Sequence, residues 1–245
     1  MTCISNDQIA AYVQAHIDSF HDKKLESINK LKLDSLLRRK NPYLFKSKNI
    51  DTVADLIRSL LDAHLSSQEE TLFGAFLEGL AIYVAETVHN GWKSSATGID
   101  LEFVKNETRY IVSIKSGPNW GNSSQITKMK DNFNTATRVM RQGNPGMKIV
   151  AVNGCCYGRD SKPDKGSYFK YCGQEFWRLV SNDADFYIRI IEPLGHSAKQ
   201  HNDTFAKNYE AVIDQLSKEF SRKFCDAKGE INWNKIVAFS SSAKA

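Results

Sequence analysis

Asp100, then twelve intervening residues, then Ser113-Ile114-Lys115 are the residues whose types and spacing could do chemistry. The text around them alternates apolar and polar side chains, so residues 99–104 and 109–115 are expected to be strands. Lys105-Asn106-Glu107-Thr108 between them is short enough for a hairpin connection. Successive side chains of a strand point to opposite faces. Asp100 and Glu102 therefore share a face, as do Ser113 and Lys115, and hairpin pairing can bring the two sets to one patch. A carboxylate beside a lysine can hold a divalent cation and position a water. Magnesium, a hard cation, takes oxygen ligands, usually one or two carboxylates together with substrate phosphate. The lysine can orient the attacking water or neutralise charge developing on phosphate.

The elements that must position this patch lie on either side of it. Residues 1–65 are expected to be helical, with Ile9, Tyr12, Val13 and Ile17, then Ile28 and Leu31, then Leu33, Leu36 and Leu37 at helical spacing. Asn41-Pro42 ends that run, because the residue before proline is pushed out of the α region. A second helix starts at Asp51 or Thr52 and carries Val53, Leu56, Ile57, Leu60 and Leu61. Ser66 or Ser67 caps a third, with Glu70 three residues after Ser67 as in a capping box, and Gly91 stops it. After the hairpin, residues 123–142 form a helix with Ile126, Met129, Phe133, Ala136 and Val139 on one face. A buried strand at 148–153, a Gly/Pro/Lys loop at 155–171 and a short helix at 174–180 follow. Residues 185–191 are expected to be another strand and 204–224 a last helix. The order helix–strand–strand–helix–strand is that of an α/β core with a mixed sheet. The whole is expected to be one domain over 1–245, with a helical subregion at 1–65, a core at 66–195 and a helical subregion at 196–245.

Composition excludes several classes. Hydrophobic residues at 41% and charged residues at 25% are those of an ordinary globular protein, not of collagen or a disordered chain. Five cysteines, an odd number in so long a chain, make no disulfide framework. Cys155, Cys156 and Cys172 with His196 lack the paired C-x-x-C spacing of a structural zinc site. A cysteine nucleophile paired with His89, His196 or His201 has no better support. Residues 1–20 lack the apolar core of a signal peptide. The longest apolar stretch, 72–88, is interrupted by Glu78 and Glu86, so no membrane span and a cytoplasmic location are expected. Lys and Arg number 33 against 28 Asp and Glu, a net charge of +5 that permits a nucleic-acid partner without demanding one. Arg38, Arg39, Lys40, Lys46 and Lys48 make one basic run; Arg159, Lys162, Lys165 and Lys170 make another among aromatics and turn formers. Each run suits a phosphate-gripping loop or, equally, a solvated one. Residues 117–123 are turn chemistry, and the helix after them offers free N–H groups that would suit a phosphate. The plainer roles there are Ser123 as an N-cap, Trp120 as a core plug and Asn153 as a turn former.

The Asp100…Ser113-Ile114-Lys115 motif, with its element order over 69–153, resembles the PD-(D/E)XK nucleases, and among them the type II restriction endonucleases. The stretches Phe76-Leu-Glu78-Gly-Leu-Ala, Gly98-Ile-Asp100, 113–121 and 152–160 add to the resemblance. It covers roughly residues 40–240 and is firmest over 69–160. Two positions depart from the pattern. Gly98-Ile99 precedes the aspartate where the motif has proline, and Ser113 stands where the second acidic residue belongs. Serine is a poor metal ligand, so another carboxylate should replace it. Glu78 is first, because the helix before the hairpin supplies an acidic residue in many family members. Glu102 is second and Glu70 third.

The resemblance implies a restriction-endonuclease-like α/β core, a mixed central sheet flanked by helices, with helical additions at both ends. It implies Mg²⁺-dependent, sequence-specific cleavage of double-stranded DNA. Asp100, Lys115, Glu78 and Ser113 would form the catalytic set, with Asp100, Glu78 and Glu102 as metal ligands. Asn119, Trp120, Asn122, Ser123, Gln125, Asn153, Arg159, Lys162 and Lys165 are the candidate DNA contacts. A homodimer is expected, since a two-fold axis matches a palindromic site, as is a cognate DNA methyltransferase in the host. The alternatives are a non-specific or repair-type nuclease of the same fold, or an inactive DNA-binding protein.

Overall fold

The computed structural model describes residues 3–195 and 198–243; His196, weighed above as a zinc or thiol partner, lies outside them. The chain divides into two compact units, Met1–Asp18 with Phe73–His196 and Ser19–Leu72 with Ser197–Ala245. Two of the three unit boundaries fall within helices α1 (Asn6–Asn29) and α4 (Val53–His89). Helices α2 (Leu33–Arg38) and α3 (Pro42–Ser47) lie between them in sequence. Asn41-Pro42 ends one helical run as expected and also begins the next. The Asn41 side chain accepts from the amides of Tyr43 and Leu44, and Pro42 takes the first helical position, where its missing N–H is no loss.

The expected break at Ser66-Ser67 does not exist, because α4 runs unbroken for 37 residues. Thr71 Oγ1 donates to the Ser67 carbonyl at 3.1 Å, the contact of a residue inside a helix. By length and apolar content α4 could cross a membrane. Its apolar residues are nonetheless core, with Leu56, Ile57, Leu60 and Leu61 buried in one unit and Leu80, Ala81, Val84 and Ala85 fully buried in the other.

The sheet belongs to the first unit. Its strands are β1 (Trp92–Lys93), β2 (Leu101–Lys105), β3 (Thr108–Lys115), β4 (Lys148–Cys155) and β5 (Phe169–Cys172), in that spatial order. The first three pair antiparallel and the last three parallel, giving a mixed sheet. The β2–β3 hairpin turns on two residues, Asn106 (φ 49°) and Glu107 (φ 59°), the pair of positive φ values that matches strand twist. Helix α5 (Ser123–Gly143) lays Met129, Phe133 and Ala136 against Ile99 and Ile111. On the opposite face Leu101, Phe103, Val112 and Ile114 are buried, and His89 at the end of α4 stacks on Phe103.

β5 begins inside the segment expected to be loop and ends one residue beyond it. The strand expected at 185–191 is instead α7 (Phe186–Arg189) and α8 (Ile191–Gly195), which follow α6 (Gln174–Ser181). Phe186 and Ile190, four residues apart, are buried while Ile188 is 55% exposed, so burial follows the helical period despite β-branched composition. In the second unit α9 (Ala198–Phe224) and α10 (Trp233–Ser241) join α2 and α3 around Leu36, Leu60, Leu216 and Phe220.

Continuity of α4 is testable at Gln68. Proline there should lower stability by about 3 kcal/mol relative to Gln68→Ala, read from urea midpoints. A separate helix capped by Ser67 would place residue 68 at its first position, and proline would then shift the midpoint no more than alanine.

Candidate active site

Asp100 stands at the entry to β2. Its amide donates to the Val112 carbonyl at 2.8 Å, although Val112 is the register partner of Leu101. Two successive residues thus oppose one, the pattern by which a bulge re-aims a side chain. The carboxylate turns onto β3, where Oδ2 accepts the Ile114 amide at 2.6 Å and the Ser113 hydroxyl at 3.5 Å. Lys115 Nζ lies 3.9 Å from the same oxygen and donates to the Ile114 carbonyl at 2.8 Å. The ammonium also faces the Trp120 ring at 5.2 Å from its centroid, within cation–π range.

Glu78 reaches this group from α4. Burial raises the pKa of its carboxyl, and the negative charge of Asp100 raises it further, while Lys93 and Lys115 pull it down. Lys93 Nζ lies 3.9 Å from Glu78 Oε1. Lys93 had no sequence signature, since β1 is only two residues long. Asp100, Glu78 and Lys115 are thus brought together, with buried Ser113 beneath Asp100 as a neutral hydrogen-bond donor.

Glu102 is not brought to them. It is 3% exposed, with Oε1 accepting from Ser94 Oγ at 2.6 Å and Oε2 from Arg109 Nε at 2.8 Å. One oxygen is taken up by the Ser94 hydroxyl and the other by the Arg109 ion pair, and the bulge at Asp100 breaks the alternation from which a shared face with Glu102 is expected. Glu70 is exposed and belongs to the other unit. Among the described residues, no three His, Cys, Asp or Glu side chains gather as a metal site, the three thiols at 155, 156 and 172 included.

The expected DNA contacts separate into three groups. Asn119, Ser123 and Gln125 are exposed at the start of α5. The cap there is Asn122, whose Oδ1 accepts the Gln125 amide at 3.0 Å while Gln125 Oε1 accepts the Asn122 amide at 3.0 Å; Ser123 is the first helical residue. Asn153 is not at a strand end but inside β4, in register with Ser113. It is buried and bonded to Trp120 Nε1 at 3.1 Å. Arg159 and Lys162 are exposed, whereas Lys165 pairs with Asp160 at 2.9 Å.

The turns after β3 and β4 interlock. A Cβ on Gly117 would lie 2.3 Å from the Tyr157 ring, and one on Gly158 (φ 92°) would lie 2.6 Å from Pro118. Lys170 ties the two turns by donating to the Pro118 carbonyl at 2.9 Å while standing 3.6 Å from Asp160. Its basic run therefore serves partly to hold the site's own loops.

A family model described as Type II restriction endonuclease EcoO109I matches residues 7–202. No curated protein matches the chain.

Two substitutions distinguish the two acids. Glu102→Ala should cost about 3 kcal/mol in urea denaturation, because it strands Arg109, and leave divalent-cation affinity unchanged in calorimetric titration. Glu78→Gln should act oppositely. The folded chain raises the Glu78 pKa, so deprotonation opposes folding, and the variant should be the more stable metal-free protein at neutral pH. That gain should disappear below the unfolded carboxyl value of about 4.3, where both chains are uncharged at this position.

Proposed function

Because the chain belongs to the type II restriction endonuclease EcoO109I family, we propose that it is a Mg²⁺-dependent, sequence-specific endonuclease of double-stranded DNA with a PD-(D/E)XK core. The observation that carries this reading is the convergence of Asp100, Glu78 and Lys115 at one end of the sheet.

The donor set fits magnesium. Asp100 and Glu78 offer carboxylate oxygens, and two such groups suffice when substrate phosphate and water complete the shell. Burial pushes the neighbouring Cys156 thiol up to about 12, which disfavours the thiolate that a soft metal would need. Bound Mg²⁺ would supply Lewis-acid polarisation of the scissile phosphate. Ile114 and Ser113 hold Asp100 in the orientation that binding requires. Lys115 Nζ donates one N–H to the Ile114 carbonyl and has two left for a water or a phosphate oxygen. It would orient that water for in-line attack on phosphorus, breaking the P–O3′ bond and leaving a 5′-phosphate and a 3′-hydroxyl.

Exposed Arg159 and Lys162 would grip the DNA backbone, as would the exposed Arg38, Arg39, Lys46 and Lys48 on and beside α2 and α3. Cutting both strands of a palindrome calls for a homodimer. In its host's cytoplasm such an enzyme needs a cognate methyltransferase to protect host DNA.

A digest of plasmid DNA in about millimolar Mg²⁺ should give discrete bands that EDTA abolishes. Lys115→Ala should lower the rate by about 100-fold or more. The rate should rise with pH through the raised Glu78 range, since a protonated carboxyl competes with the metal. A smear would keep the nuclease and remove its sequence preference. Intact DNA with a gel shift would identify an inactive binder, the outcome that Ser113 in the acidic position would then explain. No shift would sink the DNA reading altogether.

A further inference from the structure

Asn153 is an unusual residue for the middle of a sheet. β4 is paired on both edges, and Asn153 is 1% exposed within it. A buried amide must satisfy both of its ends, and an apolar β-branched residue would occupy the position without that demand. Asn153 does satisfy them. Nδ2 donates to the Ser113 carbonyl at 3.2 Å, and Oδ1 accepts the Trp120 indole N–H at 3.1 Å. Ser113, Lys115 and Asn153 share one face, because side chains alternate along β3 and Asn153 is the in-register partner of Ser113.

Trp120 is the other half of the arrangement. It lies in the turn between β3 and α5, partly buried against the cluster of Ile99, Ile111 and Phe133. To that packing the bond to Asn153 adds a directional constraint on the ring's tilt. The face so presented stands 5.2 Å from Lys115 Nζ. A lysine head sits on a flexible four-carbon stem and keeps one place only if several groups define it. Here those groups are the Ile114 carbonyl, Asp100 and the indole face.

We infer that Asn153 and Trp120 are positioning residues for Lys115: the buried amide orients the indole, and the indole face holds the ammonium beside Asp100. This rests on the nuclease reading of Lys115 and departs from the expectation that the two residues contact DNA. Their contribution is to turnover rather than to DNA binding.

The variants are Trp120→Phe, which keeps a ring but has no N–H, Asn153→Leu, which keeps the volume, and the double variant. Each single change should lower the single-turnover rate on plasmid DNA by about fivefold to tenfold. Binding measured by gel shift in EDTA should change by less than about twofold. The double variant should be no slower than the slower single one, since both changes break one chain of contacts. In ¹H–¹⁵N spectra the Trp120 indole N–H, assigned by its absence from Trp120→Phe, should be protected from exchange and lose that protection in Asn153→Leu. An unchanged rate with weakened binding would return both residues to the DNA interface and overturn the inference. Additive rate losses, or an indole that stays protected without Asn153, would also overturn it. Trp120→Phe alters a partly buried turn and keeps the test available if Asn153→Leu does not fold. If the wild-type protein cuts nothing while the indole behaves as expected, the nuclease reading fails and the Asn153–Trp120 link stands without a role in turnover.

Discussion

The amide of Ile114 donates to the carboxylate of Asp100 at 2.6 Å, and the site depends on that bond. Alternate residues of a strand send their polar groups to opposite neighbours, so Val112 and Ile114 both face β2. β2 begins at Leu101, and its last backbone bond toward β3 comes from the Asp100 amide to Val112. The Ile114 N–H is therefore left beyond the end of its partner strand, buried, with no backbone acceptor. An orphaned buried donor costs about 1–3 kcal/mol. The Asp100 side chain removes that cost and is itself held in one orientation. Strand termination and placement of the acid are one event.

The site's two buried acids differ in how fully partners compensate their burial. Glu102 lies two residues beyond Asp100, and Ser94 and Arg109 take up both of its oxygens. Glu78 is half-buried with a lysine only at 3.9 Å, and burial first, then the negative charge of Asp100, raises its pKa. Such a carboxyl, when ionised, is a cost to the folded chain. Around these groups the interlocked turns at Gly117 and Gly158 set where Trp120 and the start of α5 fall, so Lys115 is bounded by structure from both adjoining strands.

Much of this was present in the amino-acid sequence. The β2–β3 hairpin, α5 with its apolar stripe and β4 follow from local periodicity, and the Asp100–Lys115 spacing on the hairpin follows with them. These are properties of residues close in the chain, where side-chain period and turn chemistry decide the geometry. The choice of Glu78 over Glu102 came from resemblance rather than from pattern, because the strand period alone favours Glu102 as the neighbour of Asp100.

Tertiary structure decided what depends on distant partners. The two helices expected around Ser66-Ser67 are one, because both halves of α4 have cores to bury their apolar stripes and neither serine needs to leave the helix. Residues 186–189 are helical because Phe186 and Ile190, one turn apart, share a buried face, against the preference of their β-branched neighbours. β5 exists because β4 offers it an edge. Glu102 is structural because Arg109 lies across the hairpin from it, and Asn153 is buried rather than a turn former because β4 runs two residues further to Cys155. Local sequence sets the period of an element, whereas the satisfaction of a buried charge or amide is settled by a partner that only the fold brings near.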